Sequence, residues 1–329
     1  MTLENSRAEA DVAAGVATAS ARGGGSRDRP ADGESPRGHG RREPLTGYLF
    51  AAPSVVGFVL FVLGPLLAAA WLSLTKYDIL TPPRFVGLDN YRRMVDDPRL
   101  LTTYGNTFVY VAAAVVIINV VALGLAVLVN RRLPAVFTYL FRSAFFFPSL
   151  VALVYVSIIW QALFQKDTGI INYYLTSVGG PRIDWLNSPT WSKLTVVIVD
   201  TWRNVGFAML IYVAALNEVP KDYVEAARID GAGAWTIFRR ITLPLISQAT
   251  FFNVTTTVIG AFQIFESIIV LTRGGPGDAS RSVVMYIAEI AFNNFDMGYA
   301  SAIAMTLFLL ILAVTLVQFR LRKVWVHYE

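Results

Sequence analysis

Residues 217–244 read NEVPKDYVEAARIDGAGAWTIFRRITLP, a polar segment between two long apolar stretches. Two short helices are legible in it. The first opens at Pro220, a helix-starting residue, carries Asp222 in its first turn and Arg228 in its last, and stops before Gly231. The second, about 234–242, spaces Trp235, Phe238 and Ile241 along one face and turns Arg239 and Arg240 elsewhere. Pro244 then suits the first turn of the apolar stretch that follows. The small residues Ala226, Ala227, Gly231, Ala232 and Gly233 at the bend let another surface approach the backbone. Such a loop is shaped to fit a partner's groove.

On either side of it the chain is apolar. Of 329 residues, 55% are apolar types and 16% are charged, against about 25% charged in an average soluble domain. That balance argues against a water-soluble enzyme. Six windows are long enough to cross a hydrocarbon core of ~30 Å: Tyr48–Leu74, Tyr104–Val129, Ser143–Phe164, Leu194–Leu216, Leu245–Thr272 and Gly298–Phe319. Only three charges fall within them, Asp200, Arg203 and Glu266. All six are read as helices, because an isolated strand leaves its backbone groups unpaired in lipid. Pro53, Pro65 and Pro148 are tolerated there and introduce kinks. The fold class expected is an all-α membrane protein with six transmembrane helices.

An even number of spans puts both termini on one side. Lys and Arg near the membrane favour the N-terminal side as cytoplasmic, although the loop after the first span dissents with Lys76, Arg84, Arg92, Arg93 and Arg99. Residues 1–46 lack apolar periodicity and are read as a disordered cytoplasmic tail. A secretory signal would need an apolar stretch near the start, which is missing. Seven Arg against seven acidic residues in that tail disfavour a nucleic-acid arm. With no Cys, and with His39 and His327 confined to the polar ends, no disulfide, metal site or catalytic residue is expected.

The spacing Glu225-Ala226-Ala227, three residues, Gly231, nine residues, Ile241, one residue, Leu243-Pro244 resembles the EAA loop of ABC-importer permeases. Asp230-Gly231-Ala232 extends it in the manner of the carbohydrate-uptake branch. Phe85 through Tyr91, Gly105-Asn106-Thr107, Arg142 through Pro148, and Thr272 through Pro276 are similar to further signatures of that branch. The resemblance runs from about Tyr48 to Tyr328 and is to the first permease of a maltose-transporter-type pair. It implies the type I ABC importer permease fold, with residues 47–101 as first helix and outer loop. Residues 102–319 then form the transmembrane domain, the coupling loop is 217–244, and 320–329 form a cytoplasmic tail.

In that family the loop docks on a cytoplasmic ATPase. The implied coupling residues are therefore Glu225, Ala226, Ala227, Asp230, Gly231, Ile241, Leu243 and Pro244. The implied partners are an ATPase dimer, a second related permease, and an extracellular or lipid-anchored sugar-binding protein that delivers a sugar. ATP is expected on a separate subunit and no cofactor on this one, since the sequence has no G-x-x-x-x-G-K-[ST] loop.

An intramembrane charge is a candidate for function. Asp200 and Arg203, three apart, either pair with each other or leave Arg203, with Trp202 and Asn204, facing a solute path. On the fifth span Asn253, Thr256, Gly260, Gln263 and Ser267 follow helical spacing, with Glu266 beside them. That stripe is either helix-packing glue or a path lining that bonds sugar hydroxyls while Phe262 or Phe265 covers an apolar sugar face. Glycerol-3-phosphate or another non-sugar cargo is the alternative within this class. An ion-coupled carrier is a further alternative, but it calls for paired repeats and matched ionisable residues in both halves. Neither is visible.

Overall fold

A computed structural model describes residues 43–130 and 134–325. The expected tail 1–46 lies outside the described residues except for its last four, and so do residues 326–329. Two compact units divide the chain at Phe58 and Val59. The described part of the first is a single helix, α1 (Glu43–Phe58).

The second unit begins with a π-helical turn, Val59–Leu63, and α2 (Gly64–Ser73). A two-stranded antiparallel ribbon follows, β1 (Thr75–Lys76) against β2 (Arg84–Phe85), and then α3 (Asp89–Val95). The long helix α4 (Pro98–Val129) starts cleanly. Pro98 stands in its first turn, and the Asp97 side chain accepts hydrogen bonds from the Arg99 and Leu100 amides at 3.0 and 3.1 Å, satisfying two of the orphan donors of a helix start.

Next come α5 (Ala135–Leu150), α6 (Leu153–Leu163), α7 (Ile170–Ser177) and the second long helix, α8 (Pro189–Glu218). The polar loop holds α9 (Lys221–Ile229), α10 (Ala234–Ile237), a π-helical turn at Phe238–Thr242 and α11 (Leu243–Leu245). The rest comprises α12 (Ser247–Phe262), α13 (Glu266–Leu271), α14 (Val283–Ala288) and α15 (Met297–Trp325).

Four helical runs are long and apolar enough to cross a membrane: Tyr48–Ser73, Pro98–Val129, Pro189–Glu218 and Met297–Lys323. Two bent helix pairs pass the same test only when each pair is taken together, for up to six spans. The third window, expected as one helix, is broken: α5 and α6 meet at 100°. Pro148 removes a donor from the last turn of α5, and Val151 and Ala152 are both extended, with ψ 137° and 127°.

The fifth window also departs from expectation. The run Ala234–Leu245 meets α12 at 69°, so Pro244 ends the loop's helical run rather than opening the span. The span then stops at Phe262 and resumes as α13 after three non-helical residues. This break stands because its backbone finds partners: the Ser282 hydroxyl donates to the Ile264 carbonyl at 2.7 Å. Irregular backbone at membrane depth survives only where protein or a wet cavity satisfies it.

Between lipid-immersed helices apolar burial supplies little drive, so close packing and interhelical hydrogen bonds must hold them. On α4, Ala114, Ile118, Ala122 and Ala126 recur every fourth residue and pack against Val205, Ala208, Met209 and Tyr212 of α8. The small side chains bring the two backbones close. The Tyr212 hydroxyl donates to Asn119 Oδ1 at 3.0 Å, and Asn253 Nδ2 of α12 donates to the Ala208 carbonyl at 3.1 Å. Helix α5 crosses α8 at Gly206, where an added Cβ would lie 1.8 Å from the Phe145 carbonyl oxygen. Outward positions such as Val116, Val120, Leu309 and Leu316 stay exposed, as lipid-facing side chains do.

Candidate functional site

The coupling candidates form the first of two clusters. Helix α9 starts behind Pro220, with Asp222 in its first turn and Arg228 in its last, so favourable charges stand at both ends of the helix dipole. It ends in a Schellman turn: the Ala232 amide donates to the Ala227 carbonyl at 2.9 Å and the Gly231 amide to the Arg228 carbonyl at 3.0 Å. Gly231 sits at φ +80°, and an added Cβ there would meet nothing within 4 Å. The turn therefore needs this glycine for its backbone conformation, not for room.

Glu225, Ala226, Asp230, Gly231 and Leu243 are exposed, while Ala227, Ile241 and Pro244 are half-buried. Trp235 stacks on Phe238 with ring centroids 5.7 Å apart and is itself 70% exposed; Ile229 is 86% exposed. The inward anchor of the second short helix is Ile237; of the face made by Trp235, Phe238 and Ile241, Trp235 is exposed and the other two are half-buried. A groove of about 760 Å³ runs between this loop and the ends of α4 and α8, past Val127, Asn130, Asn217, Glu225 and Arg228.

The second cluster is a cavity of about 520 Å³ between α4, α8, α12 and the break after Phe262. Of the candidate path residues it gathers Arg203, Asn204, Asn253, Gln263 and Glu266, together with Asp200, Thr256, Phe207 and Phe265. Gln263 and Glu266 are exposed to it, and Arg203 and Asn204 are half-buried. Asn253 is buried and committed to Ala208, so it serves packing as well as lining. Ser267, expected in the same stripe, is buried on α13 because the helix breaks before it.

Asp200 and Arg203 make no ion pair within 4.0 Å; every ion pair among the described residues involves other groups. Asp200 instead has its backbone carbonyl bonded by Asn204 Nδ2 at 2.9 Å. Arg203 Nε is buried with no hydrogen-bond partner among the described residues. Trp202 is placed elsewhere. Its ring meets Trp160 edge-on at 5.5 Å and lines a separate apolar groove with Ile117, Phe147, Pro148 and Ile198.

A third assembly ties two of the sequence signatures to segments outside them. Asn106 Nδ2 donates to the carbonyls of Asp278 and Arg281 at 2.7 and 3.0 Å, and Thr107 Oγ1 accepts from the Val283 amide at 3.0 Å. The Tyr110 hydroxyl reaches the Ser280 carbonyl at 2.8 Å. Asn90 Nδ2 likewise bonds the carbonyls of Ser73 and Thr75, at 2.9 and 2.8 Å.

Ion pairs that sequence reading missed reinforce the loop after α13. Arg99 bridges Asp278 at 2.8 Å and Glu289 at 3.1 Å, and Arg281 pairs with the same two acids. The Arg99 guanidinium, helped by Arg281, holds the Asp278 carboxyl below its ordinary range despite partial burial. Burial pushes the Asp97 carboxyl up, yet the hydroxyls of Tyr286 and Tyr299 and the Leu100 and Arg99 amides together bring it below its ordinary value. Arg99 and Asp97 lie 179 to 202 residues from the side chains they meet, so no local pattern announces those contacts.

Membrane helices around a polar cavity, with a shaped loop joining the two helices that line it, define a membrane permease. The chain belongs to the family described as the binding-protein-dependent transport system inner membrane component, matched over residues 118–324. It is 37% identical over 294 residues to the probable ABC transporter permease protein YesP of Bacillus subtilis, covering 88% of this chain and 94% of that protein. It is 32% identical to the lactose transport system permease LacF of Rhizobium radiobacter, covering 84% and 93%. Its fold matches a chain of a bacterial alginate ABC transporter in complex with an alginate pentasaccharide-bound periplasmic protein. That match has a TM-score of 0.76 at 19% identity, covering 85% of this chain and 95% of the other. The fold is that of a type I ABC importer permease, and the protein is a multi-pass inner-membrane component.

Proposed function

We propose that this chain is one of two permeases in an ATP-driven importer of a saccharide, delivered by an extracellular solute-binding protein. The observation that carries the reading is the placement of the coupling loop between the two helices that line the cavity. Helix α8 runs from Asn204, at the cavity, to Glu218, at the loop, and α12 leads from the loop back to Asn253 and Thr256. Fourteen helical residues at about 1.5 Å each span about 21 Å, so a rigid push on the loop reaches the cavity along two helices at once.

In this reading Arg203, Asn204, Asn253, Gln263 and Glu266 line the path, with Phe207 and Phe265 as apolar platforms. Arg203 Nε awaits an acceptor, since a buried unpaired donor costs about 1–3 kcal/mol, and a saccharide hydroxyl or water supplies one. Glu225, Ala226, Ala227, Asp230, Gly231, Ile241, Leu243 and Pro244 form the docking surface for an ATPase, which binds the ATP. This chain does no covalent chemistry and holds no cofactor. Both termini face the cytoplasm. The lactose permease and the alginate transporter support the saccharide class.

The test is ATP hydrolysis by the assembly reconstituted with its partner permease, ATPase and binding protein. Hydrolysis should rise several-fold with a saccharide and not with amino acids or metal ions. A complex stimulated only by a non-saccharide overturns the cargo reading, and hydrolysis that ignores every solute overturns the import reading.

A further inference from the structure

Reading the cavity as a saccharide path leaves open the charge of the saccharide. The lining addresses it. Arg203 is the one cation among the lining residues, against two carboxylates, Asp200 and Glu266. Asp200 stands one turn before Arg203 on the same helix, and its carboxylate opposes that guanidinium. Glu266 is exposed in the cavity wall on the other side of the helix break, with no ion-pair partner within 4.0 Å among the described residues. The remaining polar lining, such as Asn204, Thr256 and Gln263, is uncharged.

A carboxylate accepts hydrogen bonds and donates none when ionised. Pyranose hydroxyls and an amino-sugar ammonium both donate to it; a uronate or phosphate group cannot, and it brings a like charge into a site of lowered dielectric. We infer that this chain's half of the path favours neutral and amino-bearing saccharides over uronates and sugar phosphates, and that Glu266 is the specificity-determining residue. The inference rests on the saccharide reading above. It separates this chain from the fold neighbour that imports the acidic polysaccharide alginate, and it sets aside a phosphorylated cargo built on Arg203.

The chain contains no cysteine, so Gln263→Cys places a single thiol in the cavity wall of the full assembly. Its reaction rates with a trimethylammonium-bearing and a sulfonate-bearing methanethiosulfonate are compared, each normalised to the same reagent on free cysteine. The cationic reagent should react at least about tenfold faster, equivalent to about 1.4 kcal/mol. Adding Glu266→Gln should shrink that ratio and Glu266→Lys should invert it, in complexes that still retain the ATPase. A ratio near one, a ratio favouring the sulfonate, or a ratio indifferent to both Glu266 variants overturns the inference. A parallel uptake assay uses cellobiose, the β-1,4 glucosamine dimer and cellobiouronate, each with wild-type and Glu266→Lys complexes. A fall in uptake of the glucosamine dimer relative to cellobiouronate in the lysine variant supports the assignment. Uptake driven only by non-saccharides, alongside the expected thiol ratio, counts against the saccharide reading and not against the charge of the cavity.

Discussion

Gly231 offers the sharpest perturbation of the coupling loop, because the structure isolates one cause. Its φ of +80° is left-handed, and no atom within 4 Å would meet a Cβ added there. A substitution therefore acts through the backbone alone. An L-residue in that region costs about 1–2 kcal/mol, asparagine tolerates it better, and a β-branched residue fares worst. If only the bent loop docks, affinity falls by the fraction of chains that keep the bend. At about 1.4 kcal/mol per decade, Gly231→Ala should weaken ATPase binding about 5- to 30-fold, Gly231→Asn less and Gly231→Val more. Titrating labelled ATPase onto the permease pair in nanodiscs reads all three, with membrane insertion checked by expression level. Wild-type affinity in the valine variant, or equal losses for asparagine and valine, refutes the reasoning.

Gly206→Ala should be more damaging to the fold than its chemistry suggests, since the new carbon would sit 1.8 Å from the Phe145 carbonyl oxygen and α5 and α8 must part; at ~1–3 kcal/mol for overpacking, the unfolding midpoint in detergent should drop by several degrees. Tyr212→Phe removes the hydroxyl that donates to Asn119 and should cost under about 2 kcal/mol, in keeping with interhelical hydrogen bonds in membranes, as read by mixed-micelle unfolding. Acid should loosen the loop after α13. The Asp278 carboxyl is lowered from 3.8 by Arg99, so its contribution is complete above that value and disappears as pH falls through the lower folded one. Amide protection factors over residues 272–282 should therefore be unchanged from pH 7 to 5 and fall relative to the rest of the chain only below 3.8.

Much of this architecture was legible because membranes impose so few options. Charge nearly vanishes from six windows; four fall on helices long and apolar enough to cross a membrane, and the other two on bent helix pairs. The first short helix of the loop was equally plain, since Pro220, Asp222, Arg228 and Gly231 are local signals for a local structure. The breaks were not. Nothing in Gln263-Ile264-Phe265 marks a helix end, and it holds because Ser282 reaches the Ile264 carbonyl from 18 residues away. Adjacency groups Trp202 with Arg203 and Asn204, but consecutive helical residues turn by about 100°, and three in a row cannot share a face. Asp200, Arg203, Asn204 and Phe207 do share one, and these four line the cavity. The Asn106–Asp278 contact is not legible locally: only Asn106 belongs to a recognisable signature, and its partner lies 172 residues on.

In the proposed cycle, ATPase docking at residues 217–244 controls access to the cavity between α8 and α12. A single cysteine at Thr256, exposed in that cavity, tests it with a membrane-impermeant maleimide added to either face of sealed proteoliposomes holding the complete importer. Labelling should shift from one face to the other when ATP is bound, and Gly231→Val should abolish the shift while leaving basal labelling in place. Labelling from the same face in every nucleotide state, or a shift that persists with the valine variant, contradicts the claim.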